Sequence, residues 1–435
     1  MLKASNKTGL VFFPAFDWAI DPTHPEREER LLYTKDQVFE EGLLDIEGIT
    51  EFKPAKISHS EINRAHFCVP DIESVTTSSH FISAGGAKAI AEKIASGEID
   101  KGFALVRPPG HHAMRVVHGG RGFCNINIEA IMIEYLRKEH NYKKIAIVDT
   151  DCHHGDGTQD IYWHDPDVLF ISIHQDGRTL YPGSGFTNEA GGPNACGYNL
   201  NVPLPPNTSE EGYLYTIENC VLPVLEEFKP DMIINSAGQD NHYTDPITNM
   251  NFTAQGYSQL TTMLDPDIAV LEGGYSIEDA LPYINSGIIL AMAGLDYSFV
   301  KEPGYNPERF RESSQTMNHI KKVCENVKTV WNSRHDLRKK MYGTESIYKR
   351  SRNIMYDTDG IYERQSEYLT KCDDCGGALK IISESDRGWK ITGIHAPVNV
   401  CGNCLSQAKQ WYEESKSEIS YFHNNSEDIF QNKKR

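Results

Sequence analysis

The stretch DTDCHHGDG, residues 149–157, has three aspartates and two histidines among nine residues. It directly follows KKIAIV, whose apolar residues are typical of a buried strand. Asp151 and His153 stand two residues apart, so on an extended segment both side chains point the same way. A carboxylate beside an imidazole is half of a metal site, and a third ligand has to come from another part of the chain.

Asp245, in the loop after the apolar run MIINSA, is the predicted third ligand. Two aspartates and one histidine leave a coordination position open, as in catalytic rather than structural metal sites. The adjacent histidines His111 and His112 are predicted acid and base groups beside the metal, and the carboxylates of Asp149 and Asp156 are available to orient them. Zinc is the predicted metal, with Fe²⁺ as the alternative that the same ligands allow.

Five apolar runs predict the elements that position these groups. They are residues 102–106, 144–149, 168–173, 232–237 and 268–274. Continuous apolar runs separated by helical stretches predict buried parallel strands of an α/β domain. Polar residues follow each run, and ligands of open parallel sheets bind outside the carboxyl ends of the strands. After the fifth run, Tyr275 is predicted to present its phenol O–H to a developing oxyanion.

Cysteine spacing predicts a second metal site. Six of the ten cysteines are scattered and are expected to be reduced and buried. The other four form two CxxC pairs with 25 residues between them: Cys372, Cys375, Cys401 and Cys404. Two such pairs predict a structural Zn²⁺ site of the ribbon type, while a redox role is the weaker alternative because redox CxxC motifs are usually single.

Composition shifts divide the chain into four predicted parts. Residues 1–345 form the catalytic domain, with helix predicted over 305–345, and residues 346–366 form a linker. Residues 367–411 form the zinc ribbon, and residues 412–435 form a charged tail. Only three Lys or Arg residues lie between the cysteine pairs, so the ribbon is expected to have a structural role or to contact protein, including another copy of this chain.

The formal net charge of −18 disfavours direct binding of nucleic acid and fits a cationic substrate better. The N-terminus lacks the long apolar core of a signal peptide, and no apolar run is long enough to span a bilayer. The sequence therefore predicts a cytoplasmic protein without membrane contact, with export as a bacterial effector as the alternative.

Five motifs together resemble the histone deacetylase family of zinc-dependent deacylases. In chain order they are RPPGHHA, GFCNIN, DTDCHHGDG, SAGQDNHYTDP and LEGGY, within a resemblance that covers about residues 8–300. SAGQD and LEGGY favour the class II-like and bacterial branches. The resemblance implies the arginase/deacetylase fold, an α/β parallel sheet with helices on both faces, to which the C-terminal zinc ribbon is added.

The resemblance also implies roles for individual residues. His112 would be the main general base and acid, oriented by Asp156, and His111 its electrostatic partner, oriented by Asp149. Tyr275 would polarise the amide carbonyl together with zinc. The implied walls of a substrate channel are Gly110, Phe123, Tyr181 and Gly273. A K⁺ site would be formed by Asp149, Asp151, His153, Ser172 and Ile173.

The predicted function is hydrolysis of the amide of N-acetyl-lysine, in a protein or histone-type substrate, by zinc-activated water. A small cationic acetylated amine is the alternative substrate, which would make the protein an acetylpolyamine amidohydrolase. A non-catalytic module that binds acyl-lysine is an alternative of another class. The tyrosine and the paired histidines disfavour that module, because binding alone requires neither a proton acceptor nor an oxyanion donor.

Overall fold

A computed structural model describes residues 2–21 and 23–435, and an eight-stranded sheet lies at the centre of its larger part. The first ten strands are β1 (Lys3–Phe13), β2 (Glu47–Phe52), β3 (Phe67–Cys68), β4 (Lys101–Val106), β5 (Val116–Val117), β6 (Ile145–Asp149), β7 (Val168–Gln175), β8 (Asn199–Leu204), β9 (Met232–Ala237) and β10 (Ile268–Leu271). The large sheet has the order β2-β1-β4-β10-β9-β6-β7-β8, and β3 pairs with β5 separately.

Every neighbouring pair in the large sheet is parallel. The five predicted strands are β4, β6, β7, β9 and β10, and they are consecutive in the sheet. Their carboxyl ends therefore form one continuous edge. The parallel α/β sheet predicted from the apolar runs is confirmed.

Twelve α-helices occur in the described residues of this larger part, and several of them cover the two faces of the sheet. They are α1 (Glu29–Glu40), α2 (His59–Ala65), α3 (Ile72–Val75), α4 (Ser78–Ala95), α5 (Ile128–Glu139), α6 (Asp156–Tyr162), α7 (Glu210–Thr216), α8 (Leu222–Phe228), α9 (Ala254–Leu264), α10 (Leu281–Met292), α11 (Ser314–Asn332) and α12 (Arg334–Tyr342). On β6, Ile145 and Ile147 pack in the core with α4 and α5, whereas Ala146 and Val148 pack in the core with α9 and α10. Both faces of the strand are buried, which explains its continuous apolar run.

Helices α11 and α12 lie where the sequence predicts helix after residue 305. Among the described residues, no helix has both the length and the apolar character needed to cross a bilayer.

A second, six-stranded sheet follows these helices. Its strands are β11 (Ile347–Tyr356), β12 (Ile361–Thr370), β13 (Leu379–Ser385), β14 (Lys390–Ala396), β15 (Ile419–Asn424) and β16 (Ile429–Lys434), in that spatial order. Helix α13 (Gly402–Glu414) connects β14 to β15, which are parallel, and the other neighbours are antiparallel. This sheet with its helix, residues 347–434, is called the C-terminal sheet below.

The predicted linker and charged tail are wrong. Residues 346–366 contain β11 and the beginning of β12, and residues 412–435 contain β15 and β16. Polar residues on β12 concealed this strand, because Glu363, Gln365 and Glu367 point inward and are at most 2% exposed. A strand whose buried face is polar lacks the apolar alternation from which strands are recognised.

The inward-facing polar residues of β12 belong to the contact with the catalytic part. Glu367 lies 2.9 Å from both Arg350 and Arg352. Arg352 also forms an ion pair with Asp160, which lies within helix α6 of the catalytic part. Apolar packing accompanies these pairs, since Phe67 lies in one cluster with Leu379, Ile391 and other residues of the C-terminal sheet. Buried charges require such partners, so the two sheets are held in a defined relative position.

Candidate active site

Three side chains at two neighbouring strand ends form a set of metal-ligand atoms. Asp151 and His153 follow β6, and Asp240 follows the adjacent strand β9. One donor atom from each residue lies within 4.8 Å of the other two. Oδ2 of Asp240 is 2.8 Å from Nδ1 of His153, and Oδ1 of Asp151 is 3.2 Å from the same nitrogen.

The burial of two neighbouring carboxylates in this set is consistent with binding of a divalent cation. Asp151 and Asp240 are both fully buried, and adjacent buried carboxylates repel each other unless a cation or proton lies between them. Two carboxylates and one imidazole with an open fourth position match the ligand pattern of catalytic zinc. The predicted Asp–His–Asp composition is thus present, with a different third member.

The structure corrects the predicted third ligand. Asp245 does not belong to the donor set, because its Oδ2 accepts the Tyr275 backbone N–H at 2.8 Å and its Oδ1 accepts the Ile247 N–H at 3.0 Å. Asp240 lies three residues beyond the end of β9, whereas Asp245 lies eight residues beyond it. The nearer aspartate stays at the sheet edge beside His153, and the farther one fastens the segment that carries Tyr275.

Each of the two adjacent histidines is hydrogen-bonded to a carboxylate through Nδ1. His111 pairs with Oδ2 of Asp149 at 3.1 Å, and His112 pairs with Oδ1 of Asp156 at 2.8 Å. Both imidazoles are 3% exposed, and their ring centroids are 4.1 Å apart. The pairing is the one that the family resemblance implies, and it leaves Nε2 of each ring free of these carboxylates.

The environments of the two histidines move their pKa values in opposite directions. Burial, together with the nearby charges of His111 and Arg121, holds the pKa of His112 well below its usual 6.5. Burial also acts to lower the pKa of His111, but the carboxylates of Asp151 and Asp149 outweigh it and raise that pKa well above 6.5. Such divergence between neighbouring groups separates a neutral base from a charged partner.

Arg121 is a site residue that the sequence analysis did not identify. Its Nη1 lies 2.6 Å from Oδ2 of Asp156, the carboxylate that orients His112. Its guanidinium carbon also lies 5.6 Å from the centroid of the Tyr181 ring. The arginine therefore connects the histidine pair to the wall of the adjoining cavity, a connection for which the isolated sequence has no signal.

A cavity of about 280 Å³ adjoins the histidines. Its lining residues are His111, His112, Gly122, Phe123, His153, Leu180, Tyr181, Ile247, Tyr275 and Asp357. The rings of Phe123 and Tyr275 meet edge to face with centroids 5.8 Å apart. Burial raises the pKa of the Tyr275 phenol well above its usual 10, so the O–H stays protonated.

Two predicted channel glycines lie elsewhere. The N–H of Gly110 donates to Glu272 at 2.8 Å, and a Cβ there would come within 2.5 Å of the Ile128 nitrogen, so this residue packs behind the histidines. Gly273 donates its N–H to Asp151 at 2.7 Å, and it therefore supports the metal donor set. Gly122, which precedes Phe123, lines the cavity instead, and its place beside that predicted wall residue was the available signal.

The residues of the predicted K⁺ site lie on adjoining strands. Asp149 of β6 is in register with Ser172 of β7. The Ser172 hydroxyl lies 2.8 Å from Nδ1 of His174, and the Ile173 carbonyl accepts the Tyr213 hydroxyl at 3.3 Å. Potassium binding stays a prediction.

The four paired cysteines come together in the C-terminal sheet. Their sulfur atoms all lie within 4.8 Å of one another, and Sγ of Cys372 and Sγ of Cys401 are 3.8 Å apart. Backbone N–H groups of Asp374 and Gly377 donate to Sγ of Cys372 and of Cys375 at 3.4 and 3.3 Å. This cluster is consistent with the predicted zinc ribbon.

Comparisons with known proteins agree with this arrangement. A family model described as "histone deacetylase domain" matches residues 69–292. A probable deacetylase of Archaeoglobus fulgidus is 43% identical over 353 residues, which cover 74% of this chain and 97% of that protein. A histone deacetylase-like amidohydrolase of Pseudomonas aeruginosa is 36% identical, over 51% of this chain and 60% of that protein. The crystal structure of the HDA15 HD domain superposes with a TM-score of 0.65 at 26% identity, covering 79% of this chain and all of that one.

Proposed function

This chain belongs to the histone deacetylase family, and on that premise we propose that it is a zinc-dependent deacylase that hydrolyses the amide of N-acetyl-lysine. One observation carries the proposal: two histidine–aspartate pairs with opposed pKa shifts adjoin the donor set Asp151, His153 and Asp240 at a cavity with aromatic walls. A binding module would need the cavity but not the histidine pairs.

The reaction adds water across an amide, so a C–O bond forms, the C–N bond breaks, and acetate and a free amine result. Zinc held by the donor set supplies Lewis acidity toward the acyl carbonyl and toward water. His112 accepts the proton of the attacking water at Nε2, because its Nδ1 is already bonded to Asp156. The same nitrogen then donates that proton to the leaving amine.

Two further side chains stabilise the charges of this reaction. The Tyr275 hydroxyl donates a hydrogen bond to the developing oxyanion, for which burial keeps it protonated. Protonated His111, held by Asp149, offsets negative charge beside the reacting carbon. The N–H of Tyr275 is fastened to Asp245, so the phenol is held at the edge of the cavity.

The cavity walls suit the side chain of an acylated lysine. Phe123, Tyr181, Leu180 and Ile247 present aromatic or aliphatic surface, while the polar groups collect around the histidines. A lysine side chain has the same polarity pattern, with four methylenes leading to a polar amide. Apolar walls with a few convergent polar groups are the usual form of a small-molecule site.

We also propose that the four-cysteine cluster binds a structural zinc ion. In a tetrahedral site with Zn–S distances of about 2.3 Å, the sulfurs are roughly 3.8 Å apart. The Cys372–Cys401 sulfur separation of 3.8 Å matches that geometry. Such a site stabilises its fold directly, because the binding energy is folding energy.

Turnover of acetyl-lysine peptides and of acetylated polyamines, with the metal content of the same sample, tests the proposed function. Hydrolysis of the peptides with two metal ions per chain, one for each donor cluster, is the expected result. Hydrolysis of acetylated polyamines alone would support the amide-hydrolysis mechanism and would show that the substrate is a small acetylated amine rather than acetyl-lysine. Absence of hydrolysis in protein with both sites loaded would contradict a deacetylase.

A further inference from the structure

A turn of the C-terminal sheet contributes to the cavity of the catalytic part. Asp357, in the turn between β11 and β12, is one of the lining residues. Its Oδ1 accepts the Tyr181 hydroxyl at 2.8 Å and the Gly122 N–H at 3.2 Å. Asp357 is thus bonded to both sides of the channel, although it lies 65 residues beyond residue 292, where the family match ends.

The neighbouring Asp359 makes the same type of bond outside the cavity. Its Oδ2 accepts the Gly120 N–H at 2.6 Å and packs against Gly119. The turn therefore fastens the glycine-rich loop that carries Arg121 and Phe123 at two points. Unlike Asp357, Asp359 is not one of the described residues that line the cavity.

Asp357 is a carboxylate of the cavity wall that lacks a salt bridge in the described part of the chain, although its charge helps to raise the pKa of the nearby Arg121. Asp156 is paired with Arg121, and Asp149 with His111, whose pKa is raised. Asp151 and Asp240 face a site that fits a divalent cation. Asp357 is exposed, and the salt bridges among the described residues include none to it. Its second oxygen has only a 3.4 Å contact to the Gly122 N–H, which leaves it available to a ligand.

We propose that Asp357 is a specificity-determining residue, and that it selects acylated amines carrying a second positive charge near the channel entrance. This inference rests on the proposed hydrolytic function. A carboxylate without a salt bridge on the wall of a cleft attracts cations, because the low-dielectric walls focus its field. The C-terminal sheet would then act in substrate choice, with its cysteine cluster supporting the β-sheet that delivers this carboxylate.

The substitution Asp357→Asn separates the effect of the negative charge of Asp357 from the effect of its hydrogen bonds. An asparagine keeps an oxygen that accepts the Tyr181 hydroxyl and the Gly122 N–H, but it has no negative charge. Asp359→Asn is the matched control, because it makes the same change in the same turn outside the cavity. Two substrate pairs probe charge: acetyl-lysine peptides flanked by arginines or by glutamines, and a monoacetylated diaminoalkane beside an N-acetyl alkylamine of equal length.

The expected result is a charge-dependent loss. With Asp357→Asn, kcat/KM for the cationic member should fall about fivefold through KM, and kcat/KM for its neutral partner should stay within twofold. Added salt should shrink the preference of the unmodified protein for cationic substrates. An effect in the peptide pair alone would identify basic proteins as the source of the cation, and an effect in the amine pair alone would identify free polyamines.

Equal losses on cationic and neutral substrates would overturn the proposal and leave Asp357 as a support of the channel walls. Unchanged selectivity would overturn it as well. If the unmodified protein hydrolysed none of the four compounds, the hydrolytic function would fail instead. Calorimetry would then measure the affinity of the unmodified protein and of Asp357→Asn for the same compounds. Tighter binding of the cationic compounds that is lost in the variant would support the proposed selectivity. Equal affinity of the unmodified protein for cationic and neutral compounds would refute it.

Discussion

Replacement of Asp240 by asparagine discriminates between the two candidate third ligands. Asp240 is fully buried, and its Oδ1 accepts the Cys152 N–H at 2.8 Å, a bond that an asparagine oxygen can retain. The substitution therefore preserves shape and removes one negative charge from the donor set. Asp245→Asn is the matched control, since Asp245 binds backbone N–H groups of Tyr275 and Ile247 and no donor atom of the set.

The magnitude follows from metal binding. Loss of a partner that only orients a ligand weakens metal affinity by about 10- to 100-fold, so loss of a ligand carboxylate should cost at least about 100-fold, or roughly 2.7 kcal/mol. At a free metal concentration of about 100 times Kd, binding stabilises the unmodified protein by roughly 2.7 kcal/mol. At the same concentration, a variant with a 100-fold weaker site would gain only about 0.4 kcal/mol.

Metal content after dialysis and thermal unfolding with and without added zinc measure this difference. We expect Asp240→Asn to retain only the cysteine-bound ion and to lose most of the zinc-dependent stabilisation, whereas Asp245→Asn keeps both. If Asp245→Asn lost the ion and Asp240→Asn kept it, the assignment of Asp240 would be refuted.

Three further predictions concern the acid–base groups and the cysteine cluster. Tyr275→Phe should lower kcat by about 10²- to 10³-fold at unchanged metal content, and near-normal turnover would remove the oxyanion role. Arg121→Gln removes a positive charge that lowers the pKa of His112, so that pKa should rise and the acidic limb of the kcat/KM profile should move to higher pH; a limb that stays in place or moves to lower pH would contradict His112 as the base. Cys372→Ser should release one metal ion and lower the unfolding temperature while the ion at the catalytic site remains, and a selective loss of kcat in stable, fully loaded protein would argue against a structural cluster.

The cysteine and histidine motifs could be interpreted without the tertiary structure. The CxxC pairs imply a shared site because their separation is typical of ribbon knuckles. The pairing of His111 with Asp149 and of His112 with Asp156 followed from the family resemblance, and the structure has both hydrogen bonds.

The sequence did not show the positions of some site residues, because their spacing along the chain does not distinguish them from similar residues nearby. Both Asp240 and Asp245 follow β9 in one loop, and only the path of that loop puts the first beside His153. Gly110 and Gly122 both flank site residues, yet Gly110 is turned toward Glu272. In the C-terminal sheet, the buried Glu367 helped to hide strand β12, because its partners Arg350 and Arg352 lie on the adjacent strand β11.

By itself the sequence determined the parallel strands, the edge at which polar residues collect and the family of the catalytic part. It could do so because a strand buried on both faces must be continuously apolar, and because its functional groups must follow where it ends. The tertiary structure alone placed Asp240, rather than Asp245, in the set of possible metal-donor atoms, and it alone placed Asp357 at the channel. Asp357 and Gly122 are 235 residues apart and meet only because the C-terminal sheet packs on the catalytic part. Contacts at that separation depend on how two sheets dock, and neither sheet's own pattern encodes the partner's position.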